Sequence, residues 1–331
     1  MGGPHGGTGQ FVHFRNVYAV TSISSSDARH AAAGQARARL APRSYISPPM
    51  TRRFTRLAWT AATFTYLLII LGAIVRITGS GLGCGEHWPL CNGKLLPPLD
   101  LPTLIEYGHR LAAAAVSGLV AALAAYAWWL RRGAPTDPHQ PPQSSTALHR
   151  PGVAAYVALM LLLLQVGLGA VTVKLSLPPW TVILHLGTAM LLLATLILIA
   201  SRGPRTPPLR PGLYALALGF VTVLFGALTA NLGAASACLG FPLCNDQFIP
   251  AGNYLQQLHW THRLLAYTLF AYVVWWAVRS KRPGPWYVVA LVTLQVAVAA
   301  AMVLSGLPQP LQAAHVAMGA AVWAALVLAV L

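Results

Sequence analysis

The chain has 331 residues, of which 56% are hydrophobic and only 8% charged, and its mean hydropathy is +0.61. A soluble domain of this length needs more charged residues on its surface, so the composition excludes a soluble globular enzyme and indicates a protein whose solvent is the bilayer. The net charge of +16 would suggest nucleic acid binding in a soluble protein, but membrane chains concentrate basic residues in their cytoplasmic loops, so we expect no nucleic acid partner.

Residues 1–49 differ in kind from the rest of the chain. They are polar and rich in Gly, Ser, Ala and Arg, with Asp27 as their one acidic residue and no apolar run long enough for a signal peptide. This composition predicts a disordered amino-terminal extension. An Arg- and Ser-rich, acid-poor leader is also typical of an organellar transit peptide, whereas Met50, directly before the first apolar run, suits a bacterial start codon. We interpret the extension as a mis-assigned start or a dispensable tail and assign it no function.

After this extension, the predicted elements are membrane-spanning helices. Crossing about 30 Å of hydrocarbon takes roughly 20 apolar helical residues, and eight runs reach this length. They cover residues 57–77, 105–130, 152–173, 179–200, 212–232, 258–278, 285–304 and 311–331. The expected fold class is therefore all-α, an integral membrane protein with eight transmembrane helices.

The basic residues indicate which side of the membrane each loop faces. They gather before span 1 and between spans 2 and 3, 4 and 5, and 6 and 7, as Arg52, Arg53, Arg56, Arg131, Arg132, Arg150, Arg202, Arg205, Arg210, Arg279, Lys281 and Arg282. The positive-inside rule places these loops and both termini in the cytoplasm. We therefore expect a multi-pass protein of the plasma (inner) membrane, in contact with lipid, whose loops between spans 1 and 2 and between spans 5 and 6 face outward.

All four cysteines of the chain lie in these two outward loops. Pro-Leu-Cys-Asn occurs in each loop with a second cysteine upstream, so that Cys84 with Cys91 and Cys238 with Cys244 each close a short loop. Disulfides persist in an oxidising outer compartment, which favours two structural disulfides. Two alternatives stay open. The cysteines could be thiol pairs that exchange electrons with a partner, or a metal site, which is less favoured because no zinc-type histidine spacing accompanies them.

The two halves of the chain, residues 50–204 and 205–331, repeat each other. The matched positions are Gly72 and Gly226, the Pro-Leu-Cys-Asn tetrapeptides at 89–92 and 242–245, His109-Arg110-Leu111 and His262-Arg263-Leu264, and Gln165 and Gln295, which precede His185 and His315 by 20 residues. Each half contributes four spans that run in the same directions. The repeat therefore predicts two homologous four-helix bundles related by an axis along the membrane normal.

Four of the eleven histidines occupy matched places in this repeat, one near the outer end of each even-numbered span: His109, His185, His262 and His315. Ionisable residues inside a membrane are costly and usually mark function. Two histidines at equal depth in a four-helix bundle can hold one haem iron through their imidazole nitrogens. We therefore expect one haem in each half, held by His109 with His185 and by His262 with His315. For any single histidine, the alternative is a core residue hydrogen-bonded to a neighbouring helix.

One carboxylate distinguishes the halves. Glu106 lies three residues before His109 on the same helix face, and its counterpart in the second half is His259. A carboxylate beside a haem edge can accept a proton or stabilise a developing positive charge on a substrate. This places substrate chemistry in the first half and leaves the second half with a haem that only transfers electrons. The alternative is that Glu106 simply pairs with Arg110.

Taken together, these residues resemble the haem A synthase family, in which eight spans also form two homologous four-helix halves. The resemblance extends from about residue 52 to 331. It is carried by TGSGLGCGEHWPLCNG at 78–93, E-x-x-H-R at 106–110, Q-V-x-L-G-A-x-T-V at 165–173, Leu-Pro-Pro-Trp before His185, Thr-His-Arg at 261–263 and Leu-Pro before His315.

The resemblance implies an enzyme that oxidises the C8 methyl group of haem O to a formyl group, giving haem A for a terminal oxidase. Carried over to this sequence, it implies that Glu106, His109 and His185 serve the substrate site, that His262 and His315 hold haem B, and that Cys84–Cys91 and Cys238–Cys244 are the outer-loop pairs. The implied partners are a haem O synthase, an electron donor of unknown identity and the assembly of the terminal oxidase. The oligomeric state stays open, a homo-oligomer included.

The implied chemistry is two successive oxidations at one carbon, which give first an alcohol and then a geminal diol that loses water. With histidine at both axial positions, either one ligand leaves to admit oxygen, or electrons are withdrawn from the methyl group and water traps the cation with help from Glu106. We favour the second route. One rival function is a di-haem b-type membrane cytochrome that only transfers electrons, and another is a haem-free thiol-disulfide carrier.

Overall fold

The structure, a computed structural model, describes Gly2 and residues 52–95, 97–132, 151–201 and 210–331. The disordered extension predicted for residues 1–49 lies outside the described residues, apart from Gly2. Eight long helices account for most of the described chain. They are α1 (Arg52–Ile77), α2 (Leu101–Arg132), α3 (Pro151–Lys174), α4 (Pro179–Ala200), α5 (Arg210–Asn231), α6 (Tyr254–Ser280), α7 (Pro283–Leu304) and α8 (Gln309–Val330). The described part of the chain contains no β-strand, and the predicted all-α fold with eight helices is confirmed.

The residues at the helix ends explain where the even-numbered helices begin. Proline occupies the first or second position of α4 and α8, where its missing N–H leaves no hydrogen bond unmade. Asp100 caps α2 by accepting a hydrogen bond from the Thr103 N–H at 3.1 Å, and this bond holds the pKa of Asp100 below its usual value. Asn253, its counterpart in the repeat, caps α6 by accepting from Leu255 and Gln256.

The helices form two groups of four. In the first group α1 contacts α2, α2 contacts α3, α3 contacts α4, and α4 closes the ring on α1; α5 to α8 repeat this arrangement. The groups meet through α4 with α5, α1 with α8, and α4 with α8. If the two groups are exchanged, so that α1 takes the place of α5 and α4 the place of α8, the α4–α5 contact becomes the α8–α1 contact and the α4–α8 contact stays the same. Two parallel repeats require this symmetry. The two homologous four-helix bundles are therefore present as predicted.

Hydrogen bonds and apolar side chains hold the seam between the bundles. The Trp323 indole N–H donates to the Met190 carbonyl at 2.8 Å, and the Tyr66 hydroxyl donates to the Ala317 carbonyl at 3.1 Å. The indole ring of Trp323 also lies 5.5 Å from the ring of Phe220. A buried Trp that satisfies its one donor while packing against an aromatic ring is a strong contact between helices.

Seven of the eight helices are long and apolar enough to cross a membrane by composition alone, and α6 is the exception among the described residues. With 27 residues, α6 is long enough, but its first third carries polar side chains. Two of them, His259 and Arg263, are buried inside the protein. Helix α6 packs between α5 and α7, and its polar residues face other protein groups, so the chain is a multi-pass membrane protein.

Candidate functional site

A cavity of ≈ 1080 Å³ extends through both bundles. The four matched histidines all line it, together with Glu106 and His259. Most of its remaining lining is apolar, with small residues of α1, α3, α5 and α7 facing the histidine-bearing helices. A large, mostly apolar cavity with a few convergent polar groups is the usual form of a cofactor site.

The four histidines enter this cavity at matched heights. His109 and His262 each follow the first residue of their helix by eight positions, and His185 and His315 by six. At 1.5 Å per residue, these offsets place all four between one and a half and two and a half turns from the helix starts. The structure thus brings together the residues that the sequence analysis selected.

Glycines on the neighbouring helices make room for three of the imidazoles. A Cβ atom on Gly72 would lie 3.3 Å from His109 Nε2, and one on Gly226 would lie 2.9 Å from His262 Cε1. A Cβ on Gly169 would lie 3.2 Å from His185 Cε1. Each imidazole therefore packs against helix backbone, which fixes its position more tightly than a flexible side chain would.

A glutamine on the preceding helix holds the later histidine of each half. Gln165 Nε2 lies 3.1 Å from His185 Nε2, and Gln295 Nε2 lies 3.0 Å from His315 Nδ1. Gln295 also donates to the backbone carbonyl of His315 at 3.1 Å. A side chain that forms a hydrogen bond with one ring nitrogen of an imidazole orients the ring, as the hydrogen-bond partners of metal-bound histidines do.

Some imidazole nitrogens in the cavity are buried without a hydrogen-bond partner. Within the described chain, these are His185 Nδ1 in the first bundle and His262 Nδ1 in the second. Leaving a buried polar atom unpaired costs about 1–3 kcal/mol, so native proteins seldom retain one unless something binds to it. No group of three or more His, Cys, Asp or Glu residues that could hold a bare metal ion occurs among the described residues. The histidines therefore suit a ligand whose metal needs only two protein donors.

Glu106 is buried and fully engaged beside the first pair of histidines. Its Oε2 accepts the backbone N–H of Cys84 at 2.8 Å. Its Oε1 accepts from Arg110 Nε at 3.1 Å and forms the ion pair with the same guanidinium. The pairing with Arg110 that the sequence left open is thus present. Because Glu106 also lines the cavity, the ion pair fixes a carboxylate at the cavity wall.

The second bundle has an imidazole in place of the carboxylate. His259 Nδ1 donates to the Ala234 carbonyl at 3.0 Å, and His259 Nε2 accepts from Arg263 Nε at 3.3 Å. Both ring nitrogens are therefore occupied, and His259 is left without a nitrogen for a ligand. It serves as the structural counterpart of Glu106 without its charge.

The loop between α1 and α2 and the loop between α5 and α6 border the cavity, and each is closed by a disulfide. Cys84 is bonded to Cys91 and Cys238 to Cys244, which are the pairs predicted from the sequence, and all four cysteines are buried. Trp88 of the first loop and Phe241 of the second line the cavity. The loops are thus part of the cavity wall.

A comparison with known families fits this arrangement. The model of the Cytochrome oxidase assembly protein family matches residues 55–103 and 100–327, which include all four histidines, Glu106 and both disulfides. The chain belongs to this family.

Relatives of this family member include three proteins named heme A synthase. The protein from Symbiobacterium thermophilum is 32% identical over 292 residues, which cover 80% of this chain and 91% of the relative. The protein from Exiguobacterium sibiricum is 32% identical over 266 residues, 74% of this chain and 83% of the relative. The protein from Bacillus licheniformis is 29% identical over 236 residues, 66% of this chain and 73% of the relative.

In this member of the Cytochrome oxidase assembly protein family, the structure adds positioning residues that the sequence analysis did not assign. Gln165 and Gln295 appeared there only as markers of the repeat, and Gly72 and Gly226 likewise. Their shared signal was a fixed offset from a histidine or cysteine in both halves. Residues retained at equal offsets in both copies of an internal repeat are candidates for contacts with the site.

Proposed function

We propose that this protein is a haem A synthase, a membrane oxidoreductase that converts haem O to haem A for the assembly of cytochrome oxidase. The proposal is supported by membership of the Cytochrome oxidase assembly protein family and by relatives named heme A synthase along most of the chain. The single structural observation that carries it is the cavity lined by two matched histidine pairs, with a carboxylate beside only one of them.

The residues of the cavity fit a haem in each half. Two imidazole donors per half, buried nitrogens without partners and a mostly apolar lining suit a porphyrin whose iron is bound by histidine. His109 and His185 would hold the substrate haem O in the first bundle, and His262 and His315 would hold haem B in the second. A bound haem B supplies one-electron redox chemistry. The protein supplies the ligand geometry through Gln165 and Gln295.

Glu106 is the residue that adapts the first bundle to substrate chemistry. Converting a methyl group to a formyl group takes two oxidations of one carbon, with water supplying the oxygen atom in the favoured route. Each oxidation withdraws an electron pair, which passes to an external electron acceptor, and releases two protons. A carboxylate at the cavity wall can accept a proton or stabilise positive charge that develops on the substrate. The Cys84 N–H and Arg110 fix the position of that carboxylate, whereas the second bundle offers only the neutral His259.

The proposed function also includes an orientation in the membrane, which is inferred from the basic residues, and partners, which are inferred from the reaction. The protein lies in the plasma membrane with both termini in the cytoplasm and both disulfide loops outside, as the distribution of basic residues indicates. A haem O synthase supplies the substrate within the bilayer, and an electron partner serves the haem of the second bundle.

The substitution Glu106→Gln tests the role of the carboxylate. It keeps the shape of the side chain and an oxygen for the Cys84 N–H but removes the negative charge. We expect haem A formation to fall about 100-fold or more, the usual contribution of a positioned acid or base, while total bound haem is retained. Pigments extracted from purified protein and identified by pyridine haemochrome spectra and mass spectrometry measure both quantities.

Glu86→Gln is the matched control, because Glu86 is an exposed carboxylate in the loop between α1 and α2 and undergoes the same chemical change outside the cavity lining. If Glu106→Gln forms as much haem A as the wild-type protein, then Glu106 only anchors Arg110. Haem B as the sole pigment of the wild-type protein, in cells that make haem O, would instead support the di-haem cytochrome.

A further inference from the structure

The cavity is asymmetric along one face of the histidine-bearing helices. In the first bundle, Tyr107, Leu111 and Ala114 of α2 line it. Their spacing of four and three residues places them on one helix face. In the second bundle, of their counterparts Trp260, Leu264 and Tyr267, only Tyr267 is among the described residues that line the cavity. The cavity therefore extends further sideways around α2 than around α6.

The first outer loop forms the opposite wall of this extension with Trp88, Leu90 and Leu95. The Tyr107 hydroxyl donates to the Leu95 carbonyl at 2.7 Å and holds the loop beside the helix. Leu111 is 54% exposed, so the extension opens to the outside of the bundle, where lipid lies. We call it the side groove, and it is formed by Trp88, Leu90, Leu95, Tyr107, Leu111 and Ala114.

The second bundle closes the equivalent space with one aromatic residue. The Tyr267 hydroxyl donates to the Pro242 carbonyl at 2.7 Å, and its ring packs edge-on against Phe241 at 6.4 Å. The position equivalent to Tyr267 in the first bundle is Ala114, whose side chain ends at Cβ. A phenol ring thus occupies the gap between helix and loop that stays open in the first bundle.

We infer that the side groove receives the isoprenoid chain of haem O, and that Tyr267 keeps a haem with such a chain out of the second bundle. The inference rests on the proposed function and names the residues that sort the two haems. Haem O differs from haem B by this long apolar chain, which must leave the cavity somewhere. Lipid solvates the isoprenoid chain as well as apolar side chains do, so the role of the groove is to provide an open path for that chain. Selectivity between the two haems comes from the steric block at Tyr267.

The first test fills the groove. Ala114→Tyr places the aromatic ring of the second bundle in the first, and the two haems bound by purified protein are quantified by mass spectrometry after extraction from cells that make both. We expect haems with the isoprenoid chain, O and A together, to fall at least tenfold per polypeptide while haem B stays within twofold of wild type. Ala121→Tyr adds the same ring at an exposed position of α2 outside the groove and should keep wild-type haem content.

The second test removes the aromatic ring of Tyr267. Tyr267→Ala should raise the ratio of haem O to haem B bound by the protein, because the second bundle then accepts both haems. Tyr267→Phe should keep the wild-type ratio, because the ring is retained. Unchanged haem O content in Ala114→Tyr overturns the inference, whether or not Tyr267→Ala folds. If the wild-type protein binds haem O but produces no haem A, the proposed function is wrong. The ratio of haem O to haem B bound by Ala114→Tyr and Tyr267→Ala would still test whether the groove and Tyr267 decide which haem each bundle binds.

Discussion

Among the individual residues, the two matched arginines hold the outer loops on the bundles. Arg110 Nη1 donates to the carbonyls of His87 and Leu90, both at 2.8 Å. Arg263 donates to the carbonyls of Cys238, Gly240 and Leu243 at 2.7–2.9 Å. A guanidinium suits this task because it presents five donors in a fixed plane. Each arginine follows a haem-ligand candidate by one residue, so loop and histidine are placed by the same helical turn.

Removing Arg263 should destabilise the second half of the protein. Arg263→Ala leaves three carbonyls without their donor; the hydrogen bond to Cys238 is buried, and those to Gly240 and Leu243 are partly buried. An unsatisfied buried group costs about 1–3 kcal/mol, and water can replace the donor of a partly exposed one. We therefore expect the free energy of unfolding to fall by about 1–3 kcal/mol and the melting temperature in detergent to fall by several degrees. Circular dichroism during heating measures the change.

Arg279→Ala is the control for Arg263→Ala, because Arg279 is an exposed arginine of the same helix. Surface substitutions of this kind usually change stability by no more than about 0.5 kcal/mol. Equal melting temperatures for Arg263→Ala and Arg279→Ala would show that the loop is held without the guanidinium.

The histidines could be selected from the sequence, whereas the groups that hold them could not. His109, His185, His262 and His315 stand out because intramembrane histidines are rare and these four repeat. The hydrogen bond from the Cys84 N–H to Glu106 spans 22 residues and depends on the path of the loop. A sequence without an alignment contains no signal for such a contact, and the ion pair with Arg110 was visible only because it lies within one helical turn.

At the scale of the helices, the apolar runs predicted the elements well, because a membrane span must be long, apolar and helical. The observed helices begin up to five residues before the predicted spans and end within two residues of them, since capping residues such as Asp100 and Asn253 lie outside the apolar runs. What the runs could not reveal is which face of each helix meets its neighbour. The glycine contacts with the imidazoles depend on that packing, and so does the presence of one cavity that extends through both bundles.

The contact between α5 and α6 at Gly226 gives a prediction for helix packing. In Gly226→Ala, the new Cβ would lie 2.9 Å from His262 Cε1, closer than real contacts allow, so the imidazole must move away from α5. We expect haem B bound per polypeptide to fall, because a displaced ligand weakens metal binding by about 10-fold or more. The pyridine haemochrome of purified protein gives the haem content.

Gly118→Ala is the matched control for this substitution, because a Cβ at Gly118 meets nothing within 4 Å. Alanine should favour its helix by about 1 kcal/mol and leave haem content unchanged. If both variants retain the same haem B, then His262 is not fixed by its contact with α5.

On the scale of the whole molecule, the parallel arrangement of the repeats has a consequence for orientation. Exchange of the bundles preserves the contacts between them, and both disulfide loops precede even-numbered helices. The two loops must therefore face the same side of the membrane. An inverted repeat would instead place one loop on each side.

The four cysteines allow this orientation to be measured without introducing a new cysteine, because the chain has cysteine only in these two loops. After mild reduction of intact cells, a membrane-impermeant maleimide should label both loops, since both face outward by the positive-inside rule. Two double variants, Cys84→Ser/Cys91→Ser and Cys238→Ser/Cys244→Ser, each leave cysteines in only one loop, and they serve as controls for each other.

Labelling of one variant in intact cells and of the other only after permeabilisation would contradict parallel repeats. Labelling of both only after permeabilisation would keep the repeats parallel and reverse the orientation. Because reduction must come first, the same experiment without reductant should give no labelling of either loop, as expected for two closed disulfides.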